Sequence, residues 1–165
     1  MDFEIRRARE SELAAIGEVS VAAYDADGQL ADGNEYVHRL RDAAFRAREA
    51  ELLVAVDPDT GAAAGTVTIC PPGSPMAEVS RVGELEFRML AVAPAFQGRG
   101  VGRALVNACL ERGRQLGCHS AVICTRGGGT GPAHRLYESL GFTRLPERDW
   151  SPRPGIDLVA LRASL

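Results

Sequence analysis

The feature of the sequence that most constrains the fold is a strand that leads directly into a glycine-rich turn and a helix. Residues 84–92 alternate polar and apolar side chains as far as Leu90 and then stay apolar, which predicts a central β-strand. Pro94 ends the strand, and the turn at residues 97–102 follows it. Three glycines let the backbone of this turn approach an anion closely, and the unbonded amides of a helix start attract negative charge. The segment therefore predicts a site that holds a phosphate or diphosphate.

The remaining segments alternate between the periodicities of strands and helices. Two β-prone runs flank the turn at residues 57–61, which contains Pro and Gly and predicts a hairpin. Helical spacing recurs behind Ser11, the expected N-cap of the first helix, and a long loop through Trp150 and Pro152 is expected before the last strand. This order predicts an α/β (α+β) fold with a mixed, mostly antiparallel central sheet flanked by helices. The expected strands are 3–7, 51–56, 62–70, 84–92, 120–125, 142–145 and 156–161, and the expected helices are 13–23, 35–48, 101–116 and 133–140.

Composition limits the classes of function. A chain of 165 residues is expected to form a single domain over 1–165, and its apolar runs are too short to span a membrane. Its first residues lack the basic-then-apolar order of a signal peptide, so a cytoplasmic location is expected. All 19 basic residues are arginine, which excludes a Walker-type, Schiff-base or pyridoxal lysine. The net charge of −3 and the scattered arginines argue against a nucleic-acid partner.

The cysteines do not form a recognisable metal or redox motif. Cys70, Cys109, Cys118 and Cys124 contain no C-x-x-C pair, and no histidine cluster stands at metal-ligand spacing. Reduced structural thiols are therefore expected, without a metal. Cys124 is near the proposed site in the predicted fold, but no neighbouring residue marks it as an activated thiolate.

The glycine-rich turn on its own has two competing interpretations. One is a connector that binds nothing, because an isolated G-x-G pattern is a weak indication of a ligand. The other is a dinucleotide site, but that fingerprint would have glycine where Arg103 stands and would normally follow the first strand of the domain. The position of this turn in the middle of the chain disfavours the dinucleotide interpretation.

The wider sequence around the turn resembles a known family. The stretch 90–102, LAVAPAFQGRGVG, resembles the cofactor motif of the GNAT acetyltransferase superfamily, Gln/Arg-x-x-Gly-x-Gly/Ala, which Gln97, Gly100 and Gly102 match. The stretch 133–142, AHRLYESLGF, is similar to the second motif of that family, A-x-x-L-Y-E-x-L-G-F. The resemblance covers residues 84–142 most strongly, and it implies a GNAT-like fold.

The resemblance also implies acetyl-CoA as the cosubstrate. In the family, backbone groups of the central strand pair with the pantetheine amides and the turn holds the diphosphate, while Arg103 would add positive charge here. An Asn that often contacts the cofactor in the family is replaced by Thr130, which leaves that contact without a match. The cofactor-binding residues that the resemblance implies are Leu90, Ala91, Val92, Gln97, Gly98, Arg99, Gly100, Val101, Gly102 and Arg103.

Two residues are the catalytic candidates that the resemblance implies. Glu86 stands where many members carry a glutamate that deprotonates the incoming amine through water. Glu84 or a water alone are the alternative bases. In a non-catalytic interpretation, Glu86 only lines the polar face of its strand, where Arg88 offsets its charge. Tyr137 matches the tyrosine that donates a proton to the departing thiolate, with a purely packing role as the alternative. His134 is better explained as a surface or capping histidine.

The function implied is an acetyl-CoA-dependent N-acetyltransferase that acts on a primary amine of a small molecule, a peptide or a protein. The alternative is a non-catalytic acyl-CoA-binding module that senses or scaffolds through the same fold. The loops at residues 25–34 and 147–155 are expected to shape the acceptor side, and similarity to the family makes a homodimer an expectation. The acceptor itself depends on such variable loops, so the sequence does not identify it.

Overall fold

A computed structural model describes residues 2–30, 35–126 and 132–165. Its five helices and eight strands follow one another in the α/β order that the sequence predicts. Single 3-10 turns lie at Glu10–Glu12, Pro94–Phe96 and Pro146–Arg148. The elements are β1 (Glu4–Arg7), α1 (Leu13–Ala26), α2 (Tyr36–Arg41), α3 (Ala43–Glu49), β2 (Glu51–Val56), β3 (Ala63–Cys70), β4 (Glu84–Val92), α4 (Val101–Gln115), β5 (Ser120–Arg126), α5 (Pro132–Ser139), β6 (Thr143–Arg144), β7 (Trp150–Arg153) and β8 (Ile156–Ser164).

The chain divides into two compact units, each made of two stretches. The first unit is Met1–Ile69 with Met89–Cys109, and the second is Cys70–Arg88 with Leu110–Leu165. In the first unit β1, β2 and β3 form consecutive antiparallel pairs, with a register shift between Ala55 and Val56. One face of β2 packs against the helices, which gives a core of Ile16, Ala43, Leu52, Val54 and Val56.

A buried arginine organises the helices of the first unit. Arg46 is 1% exposed and donates to the carbonyl oxygens of Arg39 and Leu40, at 2.9 and 2.6 Å, and to the hydroxyl of Ser20 at 3.1 Å. The two carbonyls belong to the last turn of α2, where backbone acceptors have no intrahelical donor. Arg46 on α3 therefore caps α2 and ties both helices to α1.

The second unit contains a mixed set of strands. The start of β4 pairs with β5 in parallel, whereas β5, β6 and β7 each pair with β8 in antiparallel register. Val122, Leu145 and Ala160 form a buried cluster there, with Val79 and Cys124 packed against it. The predicted fold class, a mixed and mostly antiparallel sheet with flanking helices, is confirmed.

Three local predictions were wrong. The helix expected at 35–48 is two helices, because Asp42 has non-helical dihedrals and its carboxylate caps α3 by accepting the Phe45 amide at 3.1 Å. Ser11 is not the N-cap of α1 and lies in a 3-10 turn in front of it. The segment through Trp150, expected to be a loop, forms strand β7. Among the described residues no helix is long and apolar enough to cross a membrane.

A bidentate ion pair at the start of the first unit provides a test of this architecture. Arg6 donates to both carboxylate oxygens of Glu12, at 2.8 and 2.7 Å, and this contact is the main reason why the pKa of Glu12 falls to about 2; burial opposes the shift, and the Arg9 amide adds to it. Because the folded-state pKa is depressed, the pair stabilises the fold above the unfolded pKa, and the contribution is lost as pH falls toward 2. We expect Arg6→Gln to raise the pKa of Glu12, measured by carboxyl NMR titration.

The matched control is Arg7→Gln. Arg7 pairs with Glu51 at 3.2 Å and is largely exposed, so its loss should leave the Glu12 titration unchanged. A Glu12 pKa that does not rise in Arg6→Gln would show that the ion pair does not hold the 3-10 turn against β1.

Candidate active site

The glycine turn lies wholly in the first unit and opens its backbone outward. Gly98 and Gly100 have φ of 76° and 82°, in the left-handed region that favours glycine, and a Cβ built on either would meet no atom within 4 Å. Helix α4 begins at Val101, and its first described backbone bond runs from Ala104 N–H to Gly100 O at 3.0 Å. The amides before Ala104 therefore have no intrahelical acceptor, which is the arrangement that binds anions.

A close backbone approach fixes the start of α4 in this unit. A Cβ on Gly65 of β3 would lie 2.9 Å from the carbonyl oxygen of Ala91 and 2.8 and 3.1 Å from side-chain atoms of Val101 and Leu105. Only glycine fits without moving backbone. Gly65 thus allows the end of β4 and the first turn of α4 to pack directly on β3, which the sequence pattern did not indicate.

The backbone of β4 is irregular just before the residues predicted to bind pantetheine. Met89 has φ of 56°, and it is the one non-glycine in the left-handed region among residues 2–30, 35–126 and 132–165. Such a conformation costs an L-residue about 1–2 kcal/mol and is found most often near functional sites. Met89 is 5% exposed, so its side chain is held by packing despite the strained backbone.

Glu86 is fully buried in the second unit and is bound by backbone amides. Its Oε1 accepts from the N–H groups of Glu78, Val79 and Ser80 at 3.0, 2.9 and 2.9 Å, and its Oε2 accepts from Glu78 N–H at 3.1 Å. Three consecutive amides that converge on one oxygen form an anion-binding nest. The carboxylate therefore anchors the segment before β4, and Oε2 keeps more of its acceptor capacity than Oε1.

The flanking polar residues of β4 hold the same segment. Glu84 accepts from the Arg81 amide at 2.8 Å and from the guanidinium of Arg148. Burial alone would raise the pKa of Glu84, but these two donors lower it below its ordinary value. Arg88 donates to the Met76 carbonyl at 2.9 Å and pairs with Glu78 at 3.1 Å. The polar face of the strand is thus covered by residues 76–81.

Tyr137 is packed among aromatic rings of the second unit. It is 6% exposed, and its ring centroid lies 6.1 Å from that of Phe87 and 5.6 Å from that of Phe142. Tilted and edge-on contacts at these distances are favourable. The ring therefore has a packing role, and these ring contacts do not involve the hydroxyl group.

Residues 18–142 match the acetyltransferase (GNAT) family, which is about three-quarters of the chain. The matched range includes the glycine turn, β4 and α5. The chain belongs to the GNAT acetyltransferase family. The family resemblance predicted from the two sequence motifs is confirmed.

Proteins similar to this GNAT chain include acetyltransferases with different names. It is 32% identical over 152 residues to a mycothiol acetyltransferase of Mycobacterium sp. (strain JLS), which covers 90% of this chain and 44% of that protein. The chain therefore spans less than half the length of this curated relative. A ribosomal-protein-alanine N-acetyltransferase from Brucella melitensis is 25% identical, with a TM-score of 0.70 and coverage of 98% and 99%. A Salmonella typhimurium structure solved with its cofactor acetyl-CoA has 23% identity, a TM-score of 0.66 and coverage of 100% and 95%.

The predicted site residues of this GNAT chain fall in two groups. The cofactor residues from Leu90 to Arg103 are together in the first unit, and Glu86 and Tyr137 are in the second. Thr130 lies outside the described residues, as do 127–129 and 131. The sequence pattern did not indicate the left-handed Met89, the close approach at Gly65 or the binding of Glu86 by the amides of residues 78–80. That binding is a tertiary contact, which no sequence pattern describes.

The thiols in the second unit are poor nucleophiles. Burial raises the pKa of both Cys70 and Cys124 to about 12; the charge of Glu86 adds to each shift, while Arg88 opposes it at Cys70. None of the four cysteines, all of which the structure describes, forms a disulfide. A thiol that stays protonated at neutral pH is a weak nucleophile, because the thiolate is the reactive form. Among the described residues no cluster of three His, Cys, Asp or Glu could hold a metal.

The strained position at Met89 can be tested with a pair of variants. Met89→Ala and Met89→Gly both remove the buried side chain, but only glycine relieves the left-handed backbone. We expect the glycine variant to be more stable than the alanine variant by about 0.5–1 kcal/mol, measured by urea unfolding.

Ala91→Gly in the same strand is the control. Ala91 is buried and has no positive φ, so glycine there should be the less stable residue by about 0.5–1 kcal/mol. If Met89→Gly is also less stable than Met89→Ala, Met89 is not strained in solution.

Proposed function

We propose that this protein transfers an acetyl group from acetyl-CoA to a primary amine of a small molecule, a peptide or a protein. The observation that carries the proposal is the glycine turn before α4, whose outward-facing backbone suits a diphosphate. Membership in the GNAT family supports acetyl-CoA as the donor. Acetyl-CoA supplies a thioester whose acetyl carbon accepts the amine.

The described residues of the first unit fit this donor. The open Cβ directions at Gly98 and Gly100 leave room for an anion against the backbone, and Arg103 is exposed in the first turn of α4. We propose that the turn and Arg103 hold the diphosphate and that β4 presents its backbone to the peptide-like pantetheine, as an added strand would be held. The residues assigned to binding are Leu90, Ala91, Val92, Gln97, Gly98, Arg99, Gly100, Val101, Gly102 and Arg103.

The proposed chemistry needs one base and one acid. The acceptor ammonium loses a proton through a water oriented by Oε2 of Glu86, and the neutral nitrogen then bonds to the acetyl carbon as the carbon–sulfur bond breaks. The sulfur takes a proton from the Tyr137 hydroxyl, and the second proton lost by nitrogen restores the tyrosine. One proton is released per amide formed.

The acceptor is proposed only as a primary amine. The names of the similar proteins include mycothiol and a ribosomal-protein alanine, so these names point to no single acceptor. Of the predicted acceptor loops, 25–34 is described only as far as residue 30, and 147–155 contains β7. The homodimer and the cytoplasmic location stay predictions.

One observation favours the alternative of a non-catalytic acyl-CoA-binding module. The carboxylate of Glu86 is already bound by backbone amides, which is a sufficient reason for its presence in β4. A thiol-release assay of acetyl- and longer acyl-CoA donors against polyamines, aminoglycosides, amino acids and peptide N-termini separates the two functions. Calorimetric binding of acetyl-CoA without thiol release in any of these reactions would favour the module.

The role of Tyr137 can be tested with Tyr137→Phe. The aromatic contacts with Phe87 and Phe142 should survive, so the unfolding temperature should change little, while kcat should fall by about 10²-fold because the proton donor is gone. The affinity for acetyl-CoA, measured by calorimetry, should be unchanged. Wild-type turnover in this variant would leave Tyr137 with packing alone.

The role of Glu86 can be tested with Glu86→Gln and Glu86→Ala. Glutamine keeps an oxygen for the three amides but loses the negative charge, so we expect a folded protein with kcat reduced by about 10²-fold. Alanine removes both functions and leaves buried amides unpaired, so it should also lower the free energy of unfolding, by about 1–3 kcal/mol. Full turnover of Glu86→Gln at saturating substrates would remove Glu86 from the chemistry and leave it as an anchor.

A further inference from the structure

Arg99, at the centre of the glycine turn, is stacked between two aromatic rings. Its guanidinium carbon lies 5.3 Å from the ring centroid of Phe3 and 5.1 Å from that of Phe96. The two rings are 6.0 Å apart and nearly perpendicular, at 82°. Phe3 precedes β1 and Phe96 ends the 3-10 turn after β4, so two remote segments of the first unit meet on this one side chain. Nothing in the turn motif requires either ring.

The charge of Arg99 also acts on the hairpin between β2 and β3. The pKa of Asp57 is lowered chiefly by the hydrogen bond from the Thr60 hydroxyl, at 2.7 Å, and the positive charge of Arg99 lowers it further. Asp57 is 4% exposed and its backbone closes the turn by bonding to Ala62 and Gly61. Arg99 is exposed, its guanidinium contacts one ring before β1 and one in the 3-10 turn, and its charge reaches the hairpin turn.

This setting limits the freedom of a long side chain. An exposed arginine loses rotamer entropy when a ligand orders it. Contact with two aromatic faces orders the guanidinium beforehand, and stacking on a ring does not consume its in-plane N–H donors. A positive charge held beside the turn also raises the affinity of the turn for an anion.

We propose that Phe3 and Phe96 are positioning residues that hold the charge of Arg99 at the diphosphate turn, so that the N-terminal segment forms part of the CoA site. The inference rests on the proposed function, since it requires CoA to bind at this turn. The two rings affect binding of the diphosphate, and not binding of the 3′-phosphate or the pantetheine arm.

The test is a binding cycle with Phe3→Leu, Arg99→Gln and the double variant. Leucine keeps apolar volume but lacks the π face, so Phe3→Leu should weaken CoA binding about threefold at low salt, measured by calorimetry. In the Arg99→Gln background the same change should have no further effect, because the stacked charge is already absent. An equal effect of Phe3→Leu in both backgrounds would overturn the proposal.

Analogues of CoA show which part of the ligand interacts with the charge of Arg99. The threefold effect should persist with 3′-dephospho-CoA, which keeps the diphosphate, and should vanish with pantetheine, which lacks it. Loss of the effect with 3′-dephospho-CoA, or an equal weakening of pantetheine binding, would contradict a role at the diphosphate.

The chain contains a matched control in the same unit. Arg48 lies 5.5 Å from the ring centroid of Phe45 on α3, and that ring is 41% exposed. Phe45→Leu removes a comparable cation–π contact away from the turn, so CoA affinity should stay at the wild-type value; weakening equal to that of Phe3→Leu would overturn the inference. Failure of the wild-type protein to bind CoA would refute the proposed function itself, whereas wild-type binding with an unaffected Phe3→Leu variant would refute only the role of the rings.

Discussion

The second unit depends on the binding of one buried carboxylate by three consecutive backbone amides. The Glu86 side chain is shielded from bulk solvent, and a charge removed from bulk water must be matched by donors in the protein. The segment before β4 supplies those donors at residues 78–80, and this requirement determines the path of the backbone there. Glu84 and Arg88 bind the two ends of the same segment. The polar face of the strand is therefore an internal surface that orders residues 76–81.

The first unit is arranged by backbone stereochemistry. Glycine at positions 98 and 100 permits the left-handed dihedrals of the turn, and glycine at position 65 permits the end of β4 and the start of α4 to approach β3. Met89 adopts a similar left-handed conformation without the freedom of glycine. The two kinds of position differ in energy: glycines adopt these dihedrals at little steric cost, whereas Met89 is held there by the surrounding packing.

Some elements of the fold were predictable from the sequence and others were not. β4 was predicted with its observed bounds, and the hairpin of β2 and β3 and the starts of α4 and α5 were predicted closely, because alternation, proline and glycine act locally. The break at Asp42 and strand β7 were missed, since the first depends on a side-chain cap and on Arg46, and the second on pairing with β8. The cofactor turn was visible as a motif, whereas the amide nest around Glu86 joins residues that no spacing rule connects.

The protonated thiols of Cys70 and Cys124 have a consequence for redox chemistry. The proposed reaction releases CoA as a free thiol, and once an oxidant has converted that thiol to CoA disulfide, a cysteine thiolate can attack it, form a mixed disulfide and release one CoA. With pKa values of about 12, these cysteines present almost no thiolate at neutral pH. The protonated state of these thiols therefore disfavours mixed disulfides with oxidised CoA in the second unit, so cysteine can serve there as a small apolar side chain.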